Sequence, residues 1–220
     1  MKKHLLFLLF FFVTISCTDE KTVDNHISRP ISPIVDGQVQ IGTQVWKTKN
    51  LNVSRYRNGD IIPQVNDPTE WANLTTGAWC YYNNDPLNGS SYGKLYNWYA
   101  VIDPRAIAPA GWHIPTDTEW TVLTTFLGGE PYAGGMMKST TGWNIPNLGA
   151  NNGSHLTGLP SGLRTQNGLY GNLGSCTYFW SSTEFDSTKG FVRALYSNYY
   201  LVSRTLPDKK YGCSVRCIKD

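Results

Sequence analysis

The chain has 220 residues, 40% of them hydrophobic and 16% charged, with a formal net charge of +3. Lys2 and Lys3 belong to an N-terminal signal, so the rest carries 3 − 2 = +1, and its scattered Lys and Arg leave no footprint for nucleic acid. Glycine-rich phosphate loops of the Walker or Rossmann type are absent, and no later segment approaches the about 20 apolar residues of a membrane span.

Residues 1–16 read as a signal peptide, because Lys2 and Lys3 precede the unbroken apolar run from Leu5 to Val13, too short to cross a bilayer. From Thr18 to about Val35 the chain is polar and lacks apolar periodicity, as expected of an extended tether. Residues 36–220 then make one domain, large enough to bury about 70% of its extended-chain surface. Gln38 to Lys49 predicts a hairpin, with alternating Val39 and Ile41, a Gly42-Thr43 turn, then Val45 and Trp46. Asp67-Pro68-Thr69-Glu70 caps a short helix carrying Trp71 and Leu74. Ala78 to Tyr82 has strand composition, and Leu95 to Val101 is a helix candidate stopped by Asp103-Pro104.

Thr116 opens the main helix. Its hydroxyl can accept from the first turn, Glu119 can reach back to close a capping box, and Asp117 and Glu119 place negative charge at the positive end of the dipole. Trp120, Leu123 and Leu127 form the apolar face, and Gly128-Gly129 ends the helix. From Gly142 to Ser175 eight glycines and six asparagines leave almost no periodicity, which predicts a long functional or flexible loop. Strands follow at Tyr178–Ser182, Gly190–Leu195, Tyr200–Arg204 and Cys213–Ile218.

Several strings resemble known motifs. Thr14-Ile15-Ser16-Cys17 resembles a lipobox with Thr14 in place of the usual Leu, which implies a lipidated Cys17. Thr18-Asp19-Glu20-Lys21 resembles the acidic stretch that sends lipoproteins of Bacteroidota to the outer face of the outer membrane. Gly111-Trp112-His113-Ile114-Pro115-Thr116-Asp117-Thr118-Glu119-Trp120 resembles the mark of the Fibrobacter succinogenes major paralogous domain. Gly93 to Val101, Leu159 to Arg164, Phe179 to Glu184 and Ser214 to Cys217 continue the resemblance, which covers roughly Asp36 to Asp220. It implies an α+β fold: a single C-type-lectin-like domain with two main helices, short antiparallel sheets and a long irregular loop region. Formylglycine-generating-enzyme-like domains are distantly similar. Export implies an oxidising compartment, where four cysteines after Cys17 would form disulfides in one of three pairings. Cys80 and Cys217 stand where the family often carries cysteine, so the resemblance favours Cys80–Cys217 and Cys176–Cys213.

Catalysis finds little support in the residues. His113 and His155 are far apart and in no ligand spacing, and His113 before a helix cap reads as a packing residue. Leu159 and Leu163 stand where a nucleophile elbow around Ser161 needs glycine. Oxidation in the style of formylglycine-generating enzymes needs a cysteine pair and copper. On one strand Cys213 and Cys217 would lie about 13 Å apart, too far for either a disulfide or a two-thiolate site. The sugar- and calcium-binding triplets of lectins are missing, with Trp143-Asn144-Ile145 and Leu206-Pro207-Asp208 the nearest strings. The reading is therefore a binding module without enzyme activity, cofactor or metal. Its expected partners are extracellular glycan or a surface protein, and the outer membrane through the lipid. Trp143, Asn144, Asn147, Asn151, Asn152, Arg164, Tyr170 and Tyr199 are the candidate ligand-binding residues, because aromatic faces stack on sugar rings and amides bond their hydroxyls. Trp98, Trp112, Trp120 and Trp180 are assigned to the core.

Overall fold

The computed structural model describes residues 31–220. The signal peptide, the lipobox with Cys17 and the tether as far as residue 30 lie outside the described residues. The domain is in contact with the chain earlier than Asp36, since Ile31 packs against the core and Ser32 N donates to Gln40 O at 3.1 Å.

The predicted hairpin forms from β1 (Gln38–Ile41) and β2 (Gln44–Lys47), in antiparallel register with Val39 opposite Trp46. α1 (Pro68–Ala72) has Asp67 as its N-cap, accepting from Glu70 N, and buries Trp71. The expected strand at 78–82 shrinks to β3 (Trp79–Cys80), followed by a 3-10 turn at Tyr82–Asn84 and a helix absent from the sequence reading, α2 (Pro86–Tyr92), capped by Asp85. The predicted helix over 95–101 divides into β4 (Leu95–Tyr96), paired with β3, and one helical turn, α3 (Trp98–Val101). Asn97 forces the division: its side-chain oxygen caps α3 at Ala100 N and also accepts from Ala78 N, anchoring the strand pair.

β5 (Trp112–His113) leads to α4 (Asp117–Phe126), whose capping box is complete: Thr116 accepts from Glu119 N, and Glu119 accepts from Thr116 N. α5 (Glu130–Met137) follows at once, starting with Pro131 in its first turn. The irregular segment is shorter than expected, because β6 (Ser161–Arg164) and β7 (Tyr170–Leu173) lie inside it as an antiparallel pair. β8 (Cys176–Glu184) and β9 (Gly190–Tyr196) are the longest strands, and β10 (Ser203–Thr205) begins later than predicted. The expected strand at 213–218 is reduced to β11 (Ile218–Lys219), with isolated bridges at Cys213 and Ser214.

The result is an α+β domain. One sheet has the order β10-β9-β8-β6-β7, another β1-β2-β11-β5, and β3-β4 form the third. The pairs are antiparallel except β6 and β8, which run parallel at Gly162 and Thr177, a departure from the purely antiparallel expectation. The core is built on aromatics. Trp98, Trp112, Trp120 and Trp180 are all buried, as expected. Trp46, Trp120 and Phe179 bring the hairpin, α4 and β8 together, with ring centroids 4.7 Å and 5.6 Å apart along that row.

Candidate functional site

The sequence-chosen ligand residues do not form one exposed cleft. Trp143 is only 9% exposed: its indole Nε1 donates to Gly158 O at 3.0 Å, and the Lys138 ammonium lies 5.5 Å from its ring centre. Arg164 is fully buried and spends its guanidinium on the carbonyls of Gly168, Val65 and Asn66 at 3.0, 2.6 and 2.8 Å. Tyr170 is half-buried, tilted against Tyr82, and donates its hydroxyl to Asn84 Oδ1 at 2.6 Å. Trp143 and Arg164 thus hold the fold together and present no free face, and Tyr170 is committed to Tyr82 and Asn84. The asparagines mostly shape the loop. Asn144 donates to Ser175 Oγ, Asn147 to Ser139 O and Asn152 to Thr157 Oγ1, while Asn151 Oδ1 accepts from Gly153 N. Asn144 and Asn151 remain exposed.

What the fold does expose is a group of tyrosines. Tyr132, Tyr199 and Tyr200 are 67%, 50% and 49% exposed. The rings of Tyr132 and Tyr200 are nearly parallel, 10° apart in plane with centroids 6.5 Å apart, and Tyr199 stands edge-on to Tyr196. Two glycines make this possible. A methyl group at Gly134 would overlap the carbonyl of Leu201, and one at Gly135 that of Gly149, so only glycine lets α5 lie against both segments. The same glycines hide α5 from sequence reading, because they are poor helix formers. Lys138 fastens the group from beneath. Its buried ammonium donates to Leu148 O, Tyr196 O and Tyr199 O at 2.8, 2.9 and 2.8 Å, and burial lowers its pKa to about 8. The long loop and the β9–β10 turn are thereby tied to one cation. Tyr132, Tyr200 and Lys138 are not among the sequence candidates, whereas Tyr199 is.

A separate cleft of about 350 Å³ lies between Thr48–Asn52, the end of α2, and the long loop at Thr157 and Leu159. Arg216 lines it from below, fully buried. Its Nη1 donates to Lys47 O and Leu156 O at 3.0 and 2.7 Å, and its Nη2 to Asn50 Oδ1 at 2.7 Å.

A family model, the Fibrobacter succinogenes major domain, matches residues 39–219. The chain belongs to this family. No curated protein and no solved structure matches it. The string that first suggested the Fibrobacter succinogenes major domain has a structural task here. Trp112 packs in the core under Lys47, Thr116 and Glu119 close the capping box, and Asp117 receives two arginines.

Within this family domain the remaining chemical candidates are placed as follows. The expected disulfides are absent from the structure: Cys80, Cys176, Cys213 and Cys217 are buried free thiols. Cys80 belongs to the cluster around Trp71 and Tyr82, whereas Cys217 lies in the one around Trp79 and Trp98. Cys176 and Cys213 sit on neighbouring strands beside Tyr178, since Phe179 bridges Ser214 in parallel. Burial pushes the thiols of Cys80, Cys176 and Cys217 up to about 11, 12 and 12, and that of Cys213 well above its ordinary value. Thiols held protonated are poor nucleophiles and poor metal ligands. Among the described residues no group of three or more His, Cys, Asp or Glu is placed to hold a metal ion.

His113 is not the packing residue expected. It is a half-exposed clasp, with Nδ1 2.8 Å from Asp220 Oδ1 and Nε2 2.9 Å from Glu119 Oε1. Burial opposes its charging, but the carboxylates of Asp220 and Glu119 outweigh burial and raise its pKa above 6.5. A raised folded pKa gives stabilisation that is complete below the unfolded value and is lost as pH rises through the folded one. The stability difference between the native chain and His113→Gln should therefore be largest below the ordinary imidazole pKa of about 6.5 and shrink as pH rises above it. Melting curves on both sides of that value check this, and a difference independent of pH would count against the clasp.

Proposed function

We propose that this domain is a non-catalytic binding module for extracellular glycan, carried as a lipoprotein on the outer face of the outer membrane through Cys17. The tyrosine group carries the reading. A sugar ring offers C–H faces that stack on aromatic rings, and Tyr132 and Tyr200 present two near-parallel rings to solvent. The exposed amides of Asn144 and Asn151 lie in the adjoining loop, where they can bond sugar hydroxyls. The frame beneath is rigid by virtue of Lys138, so little conformational entropy is lost on binding. This moves the stacking role from Trp143 and Tyr170 to Tyr132, Tyr199 and Tyr200, and keeps the long loop as one wall. The C-type-lectin-like resemblance agrees with a binding role, and the protonated, buried thiols speak against a formylglycine-generating-enzyme-like oxidase.

A protein-binding adhesin or surface-assembly subunit is the second reading, favoured by exposed Ile145 and Leu148 in the same loop. The test is a glycan array with the purified chain, followed by titration of a glycan that scores. Tyr200→Ala and Tyr132→Ala should each weaken binding by about 1–3 kcal/mol, roughly five- to a hundredfold, by analogy with aromatic anchors at interfaces. Melting temperature should hardly change, because exposed rings contribute little to the core. If both variants bind the glycan as tightly as the native chain, the site is wrong; if no glycan scores, the protein-binding reading takes its place.

A further inference from the structure

Three arginines are completely buried in this domain: Arg164, Arg193 and Arg216. Burying a guanidinium is costly unless its charge and all its N–H groups are matched. Arg164 meets this by donating from Nε, Nη1 and Nη2 to three carbonyls. Arg193 matches its charge with a carboxylate, Asp117 Oδ1 at 2.5 Å, and has Glu130 3.8 Å from its Nε, which makes no hydrogen bond. Arg216 also has an Nε without a hydrogen-bond partner, and among the described residues it has no carboxylate to match its charge. Its neighbours are carbonyls and the Asn50 amide, which stabilise a cation less than an anion would.

This incompletely matched cation lies under the 350 Å³ cleft rather than in the closed core. The cleft's composition has one sign. Lys49 stands at the rim, and no Asp or Glu lines the walls. Of the wall hydroxyls, those of Thr48, Ser90 and Thr157 already donate to Gly37 O, Pro86 O and His155 O, which leaves Ser91 to donate to an oxygen ligand. Two of the carbonyls that would repel an anion are already occupied. Asn50 Nδ2 donates to Tyr92 O at 2.8 Å, and Asn52 Nδ2 to Gly89 O at 3.3 Å. The walls are also fixed in place. Asn152 Oδ1 accepts from Thr157 N at 2.9 Å, and the buried Lys94 ammonium donates to Asn52 O and Oδ1 at 3.1 and 2.8 Å. Lys94 adds a further positive charge directly behind that wall.

We propose that this cleft is an anion subsite, taking a carboxylate-bearing ligand of about monosaccharide size whose oxygens face Lys49 and Ser91, with the buried charges of Arg216 and Lys94 behind the walls. It does not depend on the tyrosine group, whose rings stand on α5 and the β9–β10 turn. Burial lowers the pKa of Arg216 to about 9, the direction in which a bound anion would act in reverse.

The probes are glucuronate, glucose and inorganic sulfate, titrated into the full-length chain by calorimetry at low and moderate salt. Glucuronate should bind saturably and more weakly as salt increases, whereas glucose should show at least tenfold weaker binding. Sulfate competing for the same site would also support the proposal and would assign the subsite to oxyanions generally. Arg216→Met would confuse binding with folding, so the deciding variants are Lys49→Glu and Ser91→Asp, both at exposed wall positions. Each should lower glucuronate affinity at least tenfold with an unchanged melting temperature. Tyr200→Ala should leave glucuronate binding intact, which separates this subsite from the proposed glycan surface. Absence of saturable binding by both anions, equal binding of glucose, or binding indifferent to Lys49→Glu and Ser91→Asp would overturn the proposal.

Discussion

Trp120→Ala should destabilise the domain by about 3–5 kcal/mol, the usual cost of removing a fully buried indole. Trp120 has no exposed surface, lies 4.7 Å from Trp46 and 5.6 Å from Phe179 between ring centres, and donates Nε1 to Trp180 O at 3.3 Å. Truncation would thus empty the junction of the hairpin, α4 and β8 and leave an acceptor short of a donor. Such a cavity can close only if three elements move together, which their hydrogen-bonded frames oppose. At roughly 2–4 °C per kcal/mol for a domain of this size, the melting temperature should fall by roughly 10 °C. Denaturant unfolding of Trp120→Ala beside Trp120→Phe checks it, with Phe recovering part of the loss. A cost below about 1 kcal/mol would mean that the aromatic row does not hold the domain together.

Asp117→Ala should rank next, at about 3 kcal/mol. Asp117 accepts from buried Arg193 at 2.5 Å and from Arg204 Nη2 at 2.8 Å, besides sitting in the first turn of α4. Burial alone would raise its pKa, but the two guanidinium groups outweigh burial and hold the carboxyl below its ordinary 3.8. Removing it leaves the fully buried Arg193 with Glu130 at 3.8 Å as its remaining carboxylate. Breaking one partner of a buried pair typically costs about 3–5 kcal/mol, and Glu130 places the expected value at the low end. Asp117→Asn retains an acceptor and should cost less. Equal stability of the native chain and Asp117→Ala in urea would refute this account.

The parts of the fold legible in sequence are those whose causes are local. The α4 cap is complete within Thr116 to Glu119, and the hairpin is set by alternation on either side of Gly42-Thr43. The parts that escaped depend on distant chain. Leu95 and Tyr96 look helical beside Trp98 to Val101, yet pairing with Trp79 and Cys80 makes them a strand. Gly134 and Gly135 look like helix breakers until Leu201 and Gly149 come against α5. Burial within the candidate site escaped for the same reason. Trp143 in a loop of asparagines reads as an exposed ring, but Gly158 and Lys138 close over it, while Tyr132 carried no local mark of exposure. Arg164, Arg193 and Arg216 would each pass for surface charges, and burial separates them only once the fold is known.

The position of β11 bears on how this chain reaches its fold. Ile218 pairs with both Trp46 and His113, so β11 lies between the hairpin and β5. The hairpin is local in sequence, but the free edge of β2 stays open until Ile218, more than a hundred and fifty residues later, pairs with Trp46. Contacts of such long sequence separation close late, because chain entropy is lost before they contribute. Until residues 218–219 are in place, then, β2 and β5 have no strand between them and β2 keeps an unpaired edge. The sheet is completed in one late step, as a purse closes when its drawstring is pulled.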